Sequence, residues 1–201
     1  MVNIVTLTDR VRRDAESHLA QSDRIMRSLI GTHGPCRIGK RVRDPFELLA
    51  SSIISQQLSV KAADTIEKRV RALLEEFNPS AVLSIPHDTL RGAGLSTGKA
   101  KYLHSLATHI VDGRLNFVAM KKSNNEEVIA ALTEVHGIGR WTAEMFLIFG
   151  LRRADVLATG DVALQRAVRK LYGPRKTLLQ VGKQWRPYAS VASWYLWRSL
   201  E

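Results

Sequence analysis

The chain has 201 residues, of which 45% are hydrophobic, so it is long enough to bury a core and is not intrinsically disordered. The 30 Lys and Arg residues against 19 Asp and Glu residues give a formal net charge of +11, which indicates a polyanionic partner such as nucleic acid. The single cysteine, Cys36, excludes an internal disulfide framework, a cysteine-rich zinc site and a four-thiolate iron–sulfur cluster.

Cysteine usage and the N-terminus also bear on location. One cysteine fits a reducing intracellular compartment. No run approaches the roughly 18 apolar residues of a membrane span, and the N-terminus reaches charged residues before an apolar signal region forms. We therefore expect an intracellular protein that is not associated with a membrane.

Helix signals dominate the first third of the chain. Two helices are predicted in the N-terminal segment, with Thr8 and Ser22 as candidate caps. Asp44 followed by Pro45 and Glu47 is typical of a helix start, with proline at the first helical position. This pattern predicts a helix that continues to residue 55.

The middle and end of the chain follow the same pattern. Ser59 is a candidate cap for a helix that runs to about Phe77. Further helices are predicted at 79–83, at 87–91, from Ser96, at 124–134, from Asp161 to Tyr172, near Leu178 and at 187–199. Strand alternation is nearly absent, so the sequence predicts a compact all-α protein.

A glycine-rich turn lies between two of the helical patterns, in the sequence Val-His-Gly-Ile-Gly-Arg-Trp-Thr from 135 to 142. Gly137 and Gly139 would expose main-chain N–H groups to a ligand, and the following helix N-terminus favours a phosphate. Arg140 is expected to reinforce that binding. The alternative is that the two glycines form only a helix cap and a turn. Residues 136–201 carry 11 Lys and Arg and 4 acidic residues, which favours nucleic acid.

Several ordered motifs together resemble one family. The run LTEVHGIGRWTAEMFLIF, followed by ATGDVALQRAV, resembles the helix-hairpin-helix-Gly/Pro-Asp superfamily of DNA glycosylases, in the 3-methyladenine DNA glycosylase II branch. The resemblance extends to DPFELLASSIISQQLSVKAADTI and GAGLSTGKAKYL upstream and to WRPYASVASWYLW downstream, and covers roughly residues 44 to 198. It implies an all-α fold of two helical lobes with a helix-hairpin-helix and a DNA-binding cleft. The lobes would be 45–154, and 1–44 together with 155–201. The chain resembles a compact form without an N-terminal sheet domain.

Asp161 is the candidate catalytic residue that the resemblance implies. Taken alone, an aspartate between a loop and a helix is a helix N-cap. A carboxylate held ionised by the helix field would stabilise the oxocarbenium charge that develops when an N-glycosidic bond breaks, and would orient the attacking water. An alkylated purine is already cationic and needs little general-acid help. Bifunctional members carry a lysine nucleophile where this chain has Trp141, so no abasic-site lyase activity is expected.

The family also implies how a damaged base is held. Trp141, Met145, Trp197 and Tyr188 match positions that line the base pocket, although relatives have an aromatic ring where this chain has Met145. The alternative for each aromatic residue is core packing.

Two loops complete the implied DNA surface. The polar interruption of Gln56, Gln57 and Leu58 matches the loop that wedges into DNA, with Gln57 as the first choice; the alternative is an ordinary helix connection. In the hairpin, Gly137, Ile138, Gly139, Arg140 and Thr142 are the implied DNA-binding residues, and His136 replaces the usual proline. The family hairpin also binds Na⁺ or K⁺ through backbone carbonyls, here at about Thr133, Val135 and Ile138.

The sequence therefore predicts a monofunctional glycosylase that removes alkylated purines, such as 3-methyladenine and 7-methylguanine, from double-stranded DNA and leaves an abasic site. We expect a monomer without other cofactors, located in the cytoplasm at the nucleoid if bacterial and in the nucleus if eukaryotic. Two alternatives stay open: a glycosylase for a different damaged base, and a non-catalytic protein that binds DNA damage.

Overall fold

The computed structural model describes residues 4–40 and 43–201, and these form an all-α protein, as predicted. No strand occurs among them, and the only pairing of that kind in this part of the chain is an isolated antiparallel bridge between Thr6 and Arg153. Residues 1–3 and 41–42, which belong to the predicted lobe 1–44, lie outside the described residues.

The chain divides into two compact units. The first comprises the described part of Met1–Val42 together with Leu147–Glu201, and the second is Arg43–Phe146. Residues 147–154, predicted to end the other lobe, belong to the first unit because they pair with the N-terminal segment. Leu7 N donates to Arg152 O at 2.7 Å, and Ala154 N donates to Val5 O at 2.9 Å.

Five α-helices form the first unit. They are α1 (Asp9–Ser22), α2 (Arg24–His33), α11 (Val162–Tyr172), α12 (Leu178–Gly182) and α13 (Ala189–Arg198), with a 3₁₀ turn at Lys183–Trp185. Buried Asp23 joins three of these elements. It caps α2 and accepts hydrogen bonds from Tyr172 Oη at 2.6 Å and from Trp185 Nε1 at 2.8 Å. Burial and the nearby Asp23 carboxylate raise the pKa of Tyr172.

Eight α-helices form the second unit. They are α3 (Pro45–Ser55), α4 (Val60–Arg71), α5 (Pro79–Ser84), α6 (His87–Gly92), α7 (Thr97–Val111), α8 (Phe117–Met120), α9 (Asn125–Thr133) and α10 (Arg140–Met145). A π-helical turn, Phe146–Gly150, follows α10, and the chain passes from the second unit to the first after its first residue. The fully buried core of the second unit includes Leu49, Ile53, Leu103 and Leu106.

Most predicted caps are confirmed. Thr8, Asp44 and Ser59 each accept a backbone N–H in the first turn of the helix that follows. The prediction of Ser22 was wrong, since Asp23 caps α2 by accepting from Ile25 N at 2.8 Å and from Met26 N at 3.2 Å.

The ends of two helices also differ from prediction. Helix α4 ends at Arg71 rather than near Phe77, because Leu73 N and Leu74 N bond three residues back and close the helix. Helix α13 begins at Ala189 rather than at residue 187, after a turn in which Tyr188 N donates to Trp185 O at 2.7 Å. The short helix α8 was not predicted.

Candidate nucleic-acid interface and acidic site

The glycine hairpin joins α9 to α10 in the second unit. Ile138 N donates to Val135 O at 3.0 Å, and Ala143 N donates to Gly139 O at 3.1 Å, so the turn closes on its own backbone. Gly139 is the N-cap of α10 and uses no side chain for capping. The N–H groups of the first turn of α10 are therefore directed toward the exposed end of the helix, where a phosphate oxygen fits.

The two glycines of this hairpin have different surroundings. Gly137 has φ of +91°, and a Cβ added there would overlap the ring of Tyr102 on α7. Gly139 has φ of −92°, and a Cβ there would meet nothing within 4 Å. His136, the departure from the family pattern, packs its ring edge against Tyr102 with centroids 5.1 Å apart. Gly137 is thus required by the packing of the hairpin, whereas Gly139 leaves an open surface for a ligand.

Arg140, expected to reinforce phosphate binding at the hairpin, is held by two acidic side chains. Its guanidinium donates two hydrogen bonds to Glu126, at 2.9 and 2.6 Å, and a third to Glu144 at 3.2 Å. The hydrogen bonds to Glu126 raise the pKa of Arg140, and those from Arg140 lower the pKa of Glu126. Thr142, another predicted DNA-binding residue, is buried. A phosphate at this turn would compete with Glu126 for Arg140.

The predicted wedge loop contacts the same hairpin. Gln56 Nε2 donates to Gly137 O at 3.0 Å, whereas Gln57 and Leu58 are exposed. Gln57 has φ of +57°, a strained conformation for a residue with a side chain. The structure thus directs Gln56 inward and leaves the other two side chains accessible.

Lys99, which sequence reasoning missed, holds this loop in place. Its ammonium group donates to Ile54 O at 2.8 Å and to Gln56 O at 2.6 Å, which satisfies carbonyls at the C-terminal end of α3. Burial lowers the pKa of Lys99. No sequence signal identifies this contact, because it joins residues from separate helices.

Trp141 and Met145, predicted to line the base pocket, both lie on α10 in the second unit. Trp141 is 50% exposed, which is unusual for a tryptophan, and Met145 is half-buried. The four-residue spacing places both on one face of the helix. The structure therefore brings these two predicted pocket residues together on one surface.

Asp161 lies in the first unit and is buried, with a relative exposure of 6%. It is the N-cap of α11, where its Oδ1 accepts from Leu164 N at 2.7 Å. Trp197 Nε1 on α13 lies 3.5 Å from the same oxygen. The carboxylate is thus fixed by both a backbone and a side-chain donor, with the helix N-terminus stabilising its negative charge.

Trp197, which faces this carboxylate, packs against a second aromatic ring that was not predicted. Trp197 packs against Phe149, with centroids 5.9 Å apart and planes inclined by 31°, and Phe149 is 37% exposed. Sequence reasoning missed Phe149 because it lies in a uniformly apolar run. Tyr188 caps the opposite end of α13, about 13 Å along the helix from Trp197, and packs against His18. The structure does not bring Tyr188 to the side of Asp161.

The described residues contain no group of three or more His, Cys, Asp or Glu side chains able to hold a metal ion. A monovalent cation held by hairpin carbonyls would need no such group. Of the three carbonyls predicted for it, that of Val135 already accepts from Ile138 N at 3.0 Å, while Thr133 ends α9. The cation therefore stays a prediction. Within residues 4–40 and 43–201, no helix combines the length and apolar character that crossing a bilayer requires.

Comparison with known proteins supports the sequence motifs. The model of the HhH-GPD superfamily of base excision DNA repair proteins matches residues 50–184. DNA-3-methyladenine glycosylase 1 of Schizosaccharomyces pombe is 32% identical over 92% of this chain and 86% of its own length.

Two solved structures are also similar. The crystal structure of DNA-3-methyladenine glycosidase from Bacillus halodurans has a TM-score of 0.81 at 39% identity, over 92% of this chain and 87% of the other. The S. pombe 3-methyladenine DNA glycosylase in complex with abasic DNA has a TM-score of 0.83 at 31% identity, over 92% of this chain and 96% of the other.

Proposed function

Because the chain belongs to the HhH-GPD superfamily of base excision DNA repair proteins, we propose that it is a DNA glycosylase acting on alkylated purines. Its substrate is double-stranded DNA with a base of the 3-methyladenine or 7-methylguanine type, and its product is an abasic site. The observation that carries this proposal is Asp161, a buried carboxylate at a helix N-terminus beside Trp197, whose ring packs against Phe149. The relatives named for 3-methyladenine support the substrate class.

The chemistry follows from the position of that carboxylate. Cleavage of the N-glycosidic bond leaves positive charge on the sugar, and a carboxylate fixed near C1′ stabilises that charge more in the transition state than in the substrate. Asp161 is fixed by Leu164 N and faces Trp197 Nε1, so its orientation costs little when the reaction occurs. As the N-glycosidic bond breaks, its electron pair goes to the cationic base, which leaves as a neutral molecule. A water molecule oriented by the same carboxylate bonds to C1′ and releases its proton to Asp161 or to solvent.

The aromatic groups suit a cationic base. Alkylated purines carry positive charge, which electron-rich rings attract by cation–π interaction. Trp197, whose Nε1 faces Asp161, forms a tilted pair with the Phe149 ring, and Trp141 supplies an exposed ring on α10. Enzymes that act on a nucleotide outside the duplex stack the extruded base on aromatic side chains, and each of these rings is a candidate for that contact.

The hairpin and the wedge loop serve duplex binding in this proposal. The α10 N-terminus receives a backbone phosphate at Gly139, and Gln57 or Leu58 fills the space that the extruded base leaves. A Na⁺ or K⁺ ion at the hairpin carbonyls would add positive charge near that phosphate.

We also propose that the enzyme hydrolyses without cutting the strand. A lyase needs an amine that forms a Schiff base with the sugar, and this chain has Trp141 where bifunctional relatives have lysine. An enzyme of this kind would act as a monomer inside the cell, wherever the DNA is located.

The test is base release from DNA containing 3-methyladenine or 7-methylguanine, with strand integrity measured on the same samples. Wild type is expected to release both bases and to leave strands intact until alkali is added, whereas Asp161→Asn releases neither. Asp44→Asn is the matched control, because Asp44 also caps a helix, α3, but is exposed and belongs to the second unit. It should behave as wild type.

Other outcomes would replace the proposal. Release of deaminated or oxidised bases alone would assign a different lesion, and strand breaks without alkali would contradict the hydrolytic mechanism. Binding to damaged DNA without release of any base from a wide panel would identify a non-catalytic damage-binding protein.

A further inference from the structure

A basic concavity lies in the first unit, away from the hairpin sequence. Its volume is about 290 Å³, and it is lined by Thr159, Gln165, Arg169, Pro174, Arg175, Lys176, Thr177, Leu178 and Leu179. We call it the basic pocket. Its three charged lining residues are all cations, and no acidic side chain lines it. A site of this composition suits an anion.

These cations are not neutralised by neighbouring acids. Arg169, Arg175 and Lys176 are exposed and form no ion pair with any residue that the structure describes. A second charged cavity, of about 460 Å³ between α3 and α4, shows the opposite arrangement. There Arg71 bonds to Glu47 at 3.0 Å and to Glu67 at 2.9 Å, so its charge is compensated.

The backbone presents the pocket cations in a fixed turn. Gly173 ends α11 with φ of +108°, and Lys176 N donates to Gly173 O at 3.1 Å. Thr177 then starts α12 with a reciprocal capping box with Gln180. Arg175 and Lys176 are therefore held between two defined helix ends rather than on an extended loop.

The pocket is joined directly to the loop that carries Asp161. Gln165 Nε2 donates to Thr159 O at 2.8 Å, and Arg169 Nη2 lies 3.5 Å from Gln165 Oε1. Thr159 is two residues before Asp161, so their Cα atoms are at most about 7 Å apart. An anion in the pocket would thus lie within reach of a nucleotide whose sugar faces Asp161.

We propose that the basic pocket binds a backbone phosphate of the DNA strand that carries the damaged nucleotide. This inference rests on the proposed glycosylase function and adds a second phosphate contact, on the same unit as the carboxylate. The contact fixes the strand next to the sugar while Arg169, Arg175 and Lys176 release counterions from the DNA.

The test uses the full chain and a duplex with a stable abasic-site analogue. The double variant Arg175→Gln/Lys176→Gln is compared with Arg13→Gln/Arg24→Gln, which loses the same charge from exposed arginines of the same unit without ion pairs to described residues. In a plot of log Kd against log NaCl concentration, we expect the slope for the pocket variant to be smaller than that for wild type by about 1 to 2. The control should keep the wild-type slope. Equal slopes for the two variants would overturn the proposal.

A second measurement locates the phosphate. Methylphosphonates, which are uncharged, replace single phosphates on either side of the abasic analogue. Wild type is expected to lose affinity at one flanking position, and Arg175→Gln/Lys176→Gln should show no further loss there. Undiminished loss in the variant, or no sensitive flanking position in wild type, would overturn the assignment.

The two proposals fail in distinguishable ways. If wild type releases no base from any lesion but the pocket variant still shows the reduced slope, the phosphate site stands and the glycosylase proposal falls. If base release depends on Asp161 but the slope is unchanged, the pocket proposal alone falls.

Discussion

The hairpin in one unit and the Asp161 loop in the other are built on different principles. The hairpin exposes backbone and depends on two glycines, Gly137 and Gly139, that meet different surroundings. At the acidic site, the same carboxylate caps a helix and supplies the charge for chemistry. In the hairpin, therefore, Gly137 serves the packing of the fold and Gly139 serves ligand binding, whereas Asp161 serves both stability and chemistry with one side chain.

The largest effect should come from Gly137. In Gly137→Ala the new Cβ would overlap the Tyr102 ring at a positive φ, and we expect a loss of about 3 kcal/mol in the free energy of unfolding. Gly139→Ala should change stability by less than about 0.5 kcal/mol, because its Cβ meets open space. It should nevertheless weaken DNA binding, since the methyl group lies where the phosphate approaches. Urea unfolding measures the stability of the two variants, and titration with DNA measures their affinity. Similar losses of stability in Gly137→Ala and Gly139→Ala would contradict the separate roles of the two glycines.

A smaller effect separates the two roles of Asp161. Asp161→Ala removes the acceptor of Leu164 N and should cost about 1 kcal/mol of stability. Asp161→Asn keeps a capping oxygen, so its stability should lie within a few tenths of a kcal/mol of wild type, although both variants lose base release. Thermal unfolding of the three proteins checks this order. An Asn variant as unstable as the Ala variant would show that the cap depends on the negative charge.

Lys99 offers a test of the link between the wedge loop and the hairpin. Lys99→Met keeps most of the aliphatic stem but removes the donors to Ile54 O and Gln56 O, at a cost of about 1 to 3 kcal/mol. Released from its anchor, the loop should fill the duplex less well, so KM for damaged DNA should rise more than kcat falls. Lys101→Met, an exposed lysine of the same helix, is the matched control. Equal behaviour of the two variants would argue against this anchor.

These contrasts also show what the sequence was able to predict. Local signals were sufficient for the all-α fold, for three helix caps and for the glycine turn, because each depends on neighbouring residues. The separate demands on Gly137 and Gly139 were not predictable, since they depend on Tyr102 from another helix. For the same reason the sequence, which favoured Gln57 over Gln56 and Leu58 as the wedge, did not predict the hydrogen bond from Gln56 to Gly137. Tyr188, which packs against His18 at the N-terminus of α13, shows that a family position does not by itself fix the contacts of a side chain.

The smallest predicted effect has an unusual sign. Arg140 is bonded to Glu126, so removing the acid with Glu126→Gln should free the guanidinium and tighten DNA binding by about two- to five-fold at low salt. The control is Glu134→Gln, which removes the same charge from an exposed residue at the C-terminal end of α9, whereas Glu126 lies in the first turn of that helix.

The role of Arg140 in that gain is separable from a general charge effect. If the gain comes from release of Arg140, it should exceed that of Glu134→Gln and disappear in Glu126→Gln/Arg140→Gln. Affinities measured at two salt concentrations settle the comparison, because a freed Arg140 that contacts a phosphate adds to the salt dependence. An equal gain in both single variants would mean that Arg140 stays bound to Glu144 and that the hairpin meets DNA through its backbone alone.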